Sequence, residues 1–240
     1  MPTECLTIDQ ALVTVGGKGL KLREGGVRFP LSKSFIEVEG KPLFYWCLRE
    51  LLRAQIKRLV LVAETQEKLQ RAERVVDDAT AGHNLEEVVL FQDKGYGTSG
   101  LPYQARDSLD TEFVFECGHN IAKSSHYDEI KRVKNPDVVV FSCFKQSSYS
   151  GRTIVNVDLQ TGIAQEEASS NTRLLAVATP LVLDQAYVYT IPSYNFNFLE
   201  IVRAQVKKQA AVVVFSSLPI EVDVSMELEA ALPIYRQFIH

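Results

Sequence analysis

Val13-Thr14-Val15-Gly16-Gly17-Lys18-Gly19-Leu20-Lys21-Leu22 joins an apolar run to a glycine cluster and then to positive charge. The run starts at Ala11, and its β-branched residues suit a strand over residues 11–15. Gly16, Gly17 and Gly19 let the backbone approach an anion closely and turn without side-chain clashes, so that exposed N–H groups can cradle phosphate. Lys18, Lys21, Arg23, Arg28 and Lys33 follow with only Glu24 among them, in a chain whose net charge is −4. Positive charge is thus concentrated at one loop. A solvated basic loop is the plainer account of the same residues. The Walker pattern is absent, because no Gly-Lys-Ser/Thr follows at the required spacing. The dinucleotide pattern fails too: no helix opens at the third glycine, and the next strand ends at best on Val38-Glu39.

Working outward, residues 35–38 read as a second extended segment closed by Glu39-Gly40. Pro42 suits the first turn of a helix, where its missing N–H costs nothing. Phe44, Cys47, Leu48, Leu51 and Leu52 then recur at spacings of three and four, an apolar stripe. The pattern goes on as strand 58–63, helix 66–78, strand 87–91, a short helix 101–108, strand 112–116, a helix near 125–133 and strand 137–144. Strands alternating with helices, with runs apolar enough to be buried on both faces, predict a mainly parallel, Rossmann-like three-layer α/β/α sheet. After residue 145 the pattern changes. Residues 152–157 and 162–167 look like hairpin strands, the start of a small antiparallel, substrate-facing portion at about 145–190. A helix at 197–208, a strand at 211–215, the segment 219–224 and a last helix follow. We read residues 1–240 as a single domain, with a nucleotide-binding part at about 8–144 and a closing strand and helix at about 210–240.

Composition narrows the function classes. Hydrophobic residues make up 46% of the 240 and charged ones 23%, the balance of a chain with a substantial core. A net charge of −4 excludes general binding to nucleic acid or to an anionic membrane. The apolar runs are too short to cross a bilayer, and the start of the chain lacks the basic-then-apolar pattern of a secretory signal. Cys5, Cys47, Cys117 and Cys143 form no CxxC pair and read as free thiols. By elimination, a cytoplasmic address is expected.

The opening stretch, with Pro30-Leu31-Ser32-Lys33 and Glu39-Gly40-Lys41-Pro42-Leu43, resembles the amino-terminal signature of the sugar-1-phosphate nucleotidyltransferases: L-A-G-G-x-G-T-R-L, a loop, a lysine, then G-x-P-L before a helix. Gln92-Asp93-Lys94-Gly95-Tyr96-Gly97-Thr98-Ser99-Gly100 resembles that family's nucleotide-contacting stretch. Residues 113–120 resemble its strand ending in Gly-Asp, and Glu221-Val222-Asp223-Val224 its closing acidic segment.

The resemblance implies transfer of a nucleotidyl group from a nucleoside triphosphate to a phosphorylated sugar or phospho-alcohol, with pyrophosphate leaving. Lys21 would neutralise the pyrophosphate and Lys33 would bind near the α-phosphate. Val15, Gly16, Gly17, Lys18, Gly19 and Leu20 would line the phosphate loop, with Gln92, Gly97 and Thr98 at the base. Asp223 would hold Mg²⁺ as its sole protein anchor, or His119 would join it at a different metal such as Mn²⁺. A homo-oligomer is compatible with all of this.

Four positions depart from the pattern. Gly118-His119 stands where the family has Gly-Asp, and imidazole is a poor ligand for a hard cation. Leu20 replaces Thr or Ser, Val15 replaces Ala, and Glu166-Glu167-Ala168 replaces a Glu-Lys-Pro. These substitutions leave a second reading open, a catalytically silent homologue that binds nucleotide or a partner and regulates. Each site residue also has a structural reading. Gln92 can simply close a strand, Gly97-Thr98 can cap a helix, Asp223 can cap the last helix, and His126, seven residues beyond His119, forms no metal-site spacing with it.

Overall fold

The computed structural model describes residues 8–16, 26, 31–134, 138–144, 154–158, 160–165, 167, 171–208, 211–215, 232–233, 236–237 and 239. Its frame is one sheet of nine strands: β1 (Gln10–Thr14), β4 (Arg58–Ala63), β5 (Glu87–Gln92), β6 (Glu112–Cys117), β7 (Val139–Phe144), β8 (Ile154–Asp158), β9 (Ala164–Gln165), β10 (Thr172–Asp184) and β11 (Ala211–Phe215). The order is β11-β7-β10-β6-β1-β4-β5, with β8 and β9 extending from β10. β2 (Glu37–Val38) and β3 (Lys41–Pro42) form a separate small ribbon.

All five residues of β1 are buried. Its side chains alternate between two cores: Ala11 and Val13 join one, and Leu12 the other. β4 divides in the same way, Leu59, Leu61 and Ala63 against Val60 and Val62. Alternation with both faces apolar is the signature of a strand covered by helices on each side. The first face carries α1 (Leu43–Arg53), α2 (Gln66–Ala79) and α4 (Ser124–Val133), through Phe44, Leu48, Leu69, Ala72, Tyr127 and Ile130. The second carries α3 (Leu101–Ala105), α5 (Gln185–Thr190) and α6 (Phe198–Lys207), through Leu101, Ala105, Val188, Ile201 and Val202. Three helices start on side-chain caps: Thr65 accepts from the Lys68 amide, Asp184 from that of Tyr187, and Asn197 from those of Leu199 and Glu200.

The mainly parallel three-layer architecture expected from the sequence is borne out. β1, β4, β5, β6, β7 and β11 all point one way. The thirteen-residue β10 is the difference. It runs antiparallel between β6 and β7, inside the main sheet, and continues outward to pair with β8. Pro180 would forbid this in a regular strand; the register shift between Ala178 and Leu181 marks a bulge that accommodates it. Two local expectations also change. Lys33–Phe35 is a 3₁₀ turn, which leaves only Glu37–Val38 as strand, and Pro42 ends β3 and precedes α1 as its N-cap. Segment 219–224 lies outside the described residues; of the last helix, residues 232–233, 236–237 and 239 are described as helical.

Candidate functional site

From β1 the chain winds outward through β4 to β5 and then returns to place β6 on the other side of β1. Such a reversal opens a crevice at the carboxyl ends of the two diverging strands, where open α/β sheets bind ligands. Val15 and Gly16 leave β1 there, with Gly118 and His119 leaving β6 beside them.

Backbone bonds hold the two exits together. The Val15 amide donates to the Val62 carbonyl (2.9 Å) and the Gly118 amide to the Thr14 carbonyl (2.8 Å), so the pairing of β1 with both neighbours extends past the strand ends. Gly118 has no room for a side chain. A Cβ would lie 3.0 Å from Phe44 Cδ2, 3.1 Å from the Thr14 carbonyl oxygen and 3.1 Å from Val15 Cγ1. Gly118→Ala is expected to cost about 1–3 kcal/mol as these neighbours are forced apart. Urea unfolding measures it, and an unchanged midpoint would mean that the packing yields freely.

Gly16 is crowded by a charge. A Cβ there would lie 2.5 Å from Glu64 Oε2, and Glu64 pairs with Lys68 across one helical turn at 2.6 Å. Lys68 thus neutralises a carboxylate standing at the mouth of the glycine cluster. Ser32 supplies the other anchor. Its buried hydroxyl donates to the Val15 carbonyl at 2.8 Å and fastens the 3₁₀ turn that carries Lys33 to the end of β1. Ser34 and Phe35 are buried, while Lys33 is half-buried.

β5 ends on the same edge. The Gln92 amide nitrogen donates to the Glu64 carbonyl (3.3 Å), and Gln104 bonds both the Gln92 carbonyl (2.6 Å) and the Lys94 amide (2.9 Å). The Gln92 side chain therefore closes the strand in the way its structural reading requires. Gly97 takes φ +71° as the N-cap of a 3₁₀ turn over Thr98–Gly100, a left-handed conformation that favours glycine.

Behind the β6 exit lies a carboxyl group that the sequence reading passed over. Glu116 is fully buried. It accepts hydrogen bonds from the Tyr127 hydroxyl (2.8 Å), the Cys117 amide (2.8 Å) and the Thr179 hydroxyl. Thr179 in turn accepts from the Asn120 side-chain amide at 2.7 Å, so the network grips both sides of Gly118-His119. Burial pushes the Glu116 carboxyl up to about 7, against the opposing pull of these donors. Burial also raises the neighbouring Cys47 thiol well above its usual range, which suits a packed, unreactive free cysteine. His126 is structural: its Nε2 lies 2.8 Å from the Ser142 hydroxyl, and burial lowers its pKa.

Of the site residues named from sequence, Val15, Gly16, Lys33, Gln92, Gly97, Thr98 and His119 all belong to segments at this carboxyl edge. Gly17, Lys18, Gly19, Leu20, Lys21 and Asp223 lie outside the described residues. Ser32, Glu64, Lys68, Glu116 and Thr179 were missed. Two of them carried a signal: Glu64 directly follows an apolar strand on the binding edge, and Glu116 is the lone charge inside Phe113-Val114-Phe115 and Cys117. A hard divalent cation wants several oxygen ligands. Among the described residues no cluster of three or more His, Cys, Asp or Glu could hold one, and His119 offers only nitrogen. The described donors do not by themselves make a Mg²⁺ site, and Asp223, the carboxylate expected from the sequence, lies outside the described residues.

No known protein-family profile matches the chain. A 127-residue stretch, 51% of this chain, is 28% identical to the UTP–glucose-1-phosphate uridylyltransferase AglF of Haloferax volcanii. That match spans about half the length of the curated relative (48%). The fold is also that of solved structures. An inositol-1-phosphate CTP transferase from T. maritima superposes with a TM-score of 0.76 at 16% identity, over 97% of this chain and 96% of the other. HddC from Yersinia pseudotuberculosis gives 0.65 at 15%, over 95% and 100%. A structure assigned as a glucose-1-phosphate thymidylyltransferase from Bacillus anthracis, in complex with sucrose, gives 0.72 at 16%, over 95% of each chain. The resemblance read from the phosphate-loop signature is borne out: by fold over nearly its whole length, and by sequence over half of it, this chain is similar to the sugar-1-phosphate nucleotidyltransferases.

Proposed function

We propose that this protein transfers a nucleoside monophosphate from a nucleoside triphosphate to a sugar phosphate or a related phosphorylated small molecule, releasing pyrophosphate. The observation that carries the reading is convergence. The start of the glycine cluster, the Lys33 turn pinned by Ser32, the Gln92–Thr98 stretch and the Gly118-His119 exit are all arranged along the carboxyl edge of β1, β4, β5 and β6. The relatives' names point to the same chemistry.

An acceptor phosphate oxygen forms a bond to the α-phosphorus while the bond to the bridging oxygen breaks, and pyrophosphate departs with that electron pair. Such a step asks for alignment and charge neutralisation more than covalent help. Lys33 would hold the α-phosphate, Lys21 the departing pyrophosphate, and the backbone amides of the glycine cluster the oxygens between them. Asp223 would hold Mg²⁺ or Mn²⁺, which would supply positive charge at the same phosphates. No helix among the described residues is long and apolar enough to cross a membrane. A cytoplasmic setting belongs to the proposal.

The test is pyrophosphate release from each common nucleoside triphosphate with a panel of sugar phosphates and phospho-alcohols, with and without either cation, beside a His119→Asp variant. Release that needs one triphosphate and one acceptor is expected. Calorimetry that detects binding of no triphosphate would overturn the proposal.

A further inference from the structure

We infer that Phe196 is a positioning residue for the nucleotide-contacting stretch: from the far half of the chain, its ring and carbonyl hold the loop from Asp93 to Gly100 in its working shape. The inference rests on the proposed nucleotidyl transfer.

That loop has little of its own to keep it in place. Residues 94–98 are exposed, and Gly95 (φ +92°) and Gly97 (φ +71°) are both left-handed. Local support comes from Gln104, which accepts from the Lys94 amide, and from Asp93, whose carboxylate accepts from the Gly95 amide at 2.8 Å. Neither reaches Tyr96 or Ser99, which flank Gly97-Thr98, and Phe196 touches both. The Ser99 hydroxyl donates to the Phe196 carbonyl across 97 positions of sequence. The Phe196 ring packs on Tyr96, with centroids 4.8 Å apart and planes inclined at 32°. It also meets Tyr103 of α3 edge-on at 6.0 Å. Aromatic pairs of this kind contribute beyond the area that they bury. Gly100 is what lets the pieces meet: a Cβ there would lie 2.4 Å from Tyr96 Cβ and 3.0 Å from Phe196 Cδ1.

The backbone at the contact is strained. Asn195 (φ +49°) and Phe196 (φ +58°) are consecutive non-glycine residues in the left-handed region. Asparagine tolerates that region; phenylalanine adopts it only where surrounding structure over-determines it. Here the reversal presents both the carbonyl and the ring to the loop. The strained residue bonds Ser99 and stacks on Tyr96, both in the loop whose shape base recognition would depend on, and braces that loop against Tyr103 of α3.

Phe196→Ala is expected to raise the Kd for the preferred triphosphate by tenfold or more while kcat at saturation stays within about threefold. Phe196→Tyr should restore the Kd. Ser99→Ala, which removes only the hydroxyl bond, should raise it a few-fold and serves if Phe196→Ala folds poorly. Amide hydrogen exchange of residues 93–100, measured without ligand, should quicken in both truncations and not elsewhere. A merely structural role predicts a lower Tm with the Kd and the local exchange unchanged, and that result overturns the inference. A wild type that binds no triphosphate would sink the functional reading instead, and the exchange comparison would still decide whether Phe196 holds the loop.

Discussion

Lys33→Ala is expected to lower kcat/KM for nucleotidyl transfer by about a hundred- to a thousand-fold, the usual loss when one group placed to neutralise transition-state charge is removed. Stability should hardly change. The turn that carries Lys33 is fastened by its neighbours: the Ser32 hydroxyl on the Val15 carbonyl, and the buried Ser34 and Phe35 side chains. Lys33 itself is only half-buried. Substitution of such a side chain usually changes stability by no more than about 0.5 kcal/mol, which moves Tm by about 2 °C at this length. Steady-state kinetics with a melting curve on the same preparation check both halves. Lys33→Arg keeps the charge but spreads it over a planar group, and should retain more activity than alanine without reaching the wild type. Activity unchanged in Lys33→Ala would remove Lys33 from the chemistry.

The second large effect is on stability, and it depends on pH. Glu116 has a folded-state pKa of about 7 against an ordinary value of 4.5, because burial penalises its ionised form. Below about pH 4 the carboxyl is protonated in both the folded and the unfolded chain, and contributes no pH dependence. As pH rises from 4.5 towards 7, the unfolded chain releases its proton while the folded chain retains it, so folding stability falls. Above about pH 7 both states are ionised and the loss is complete. A shift of this size corresponds to about 3 kcal/mol.

Glu116→Gln removes the titration and keeps a side chain of the same length; its oxygen can accept from the Thr179 hydroxyl and the Cys117 amide, while its NH2 group faces the Tyr127 hydroxyl, which can turn to accept. Urea unfolding of both proteins at about pH 4 and pH 8 should show the wild type losing about 3 kcal/mol more than the variant. Taking the difference cancels His126, whose lowered pKa acts oppositely by reducing stability as pH falls below its ordinary 6.5. Parallel pH profiles for the two proteins would mean that Glu116 does not titrate in this range. The network grips the turn at Gly118-His119, so the same comparison run on the proposed transfer asks whether the β6 exit loosens as the carboxyl ionises.

The fold was legible wherever one face or one period dominates. β1 and β4 are apolar on both faces, as strands covered by helices on each side require, and α1 and α2 show their stripes at three- and four-residue spacing. β10 was not legible. Its sequence carries Pro180 near the middle of an apolar run, and a proline there argues against a central strand. The bulge between Ala178 and Leu181 removes that objection, but it belongs to the pairing of β10 with β7, a contact between positions distant in sequence.

The site divides along the same line. The sequence by itself determined what is local: a strand that runs into glycines, a lysine at the spacing of the signature, and an alternation of strands and helices that predicts a mainly parallel sheet. Tertiary structure decided what depends on contacts between distant positions. Ser32 reaches the carbonyl of Val15, Lys68 neutralises Glu64 beside Gly16, Glu116 is bonded by Thr179 across the sheet, and Phe196 rests on Tyr96. Backbone propensity and hydrophobic period act over a few residues, and a chain can display them before it folds. A buried carboxyl or a left-handed phenylalanine is tolerable only once its partners have been brought to it, and those partners are chosen by the packing of the whole sheet.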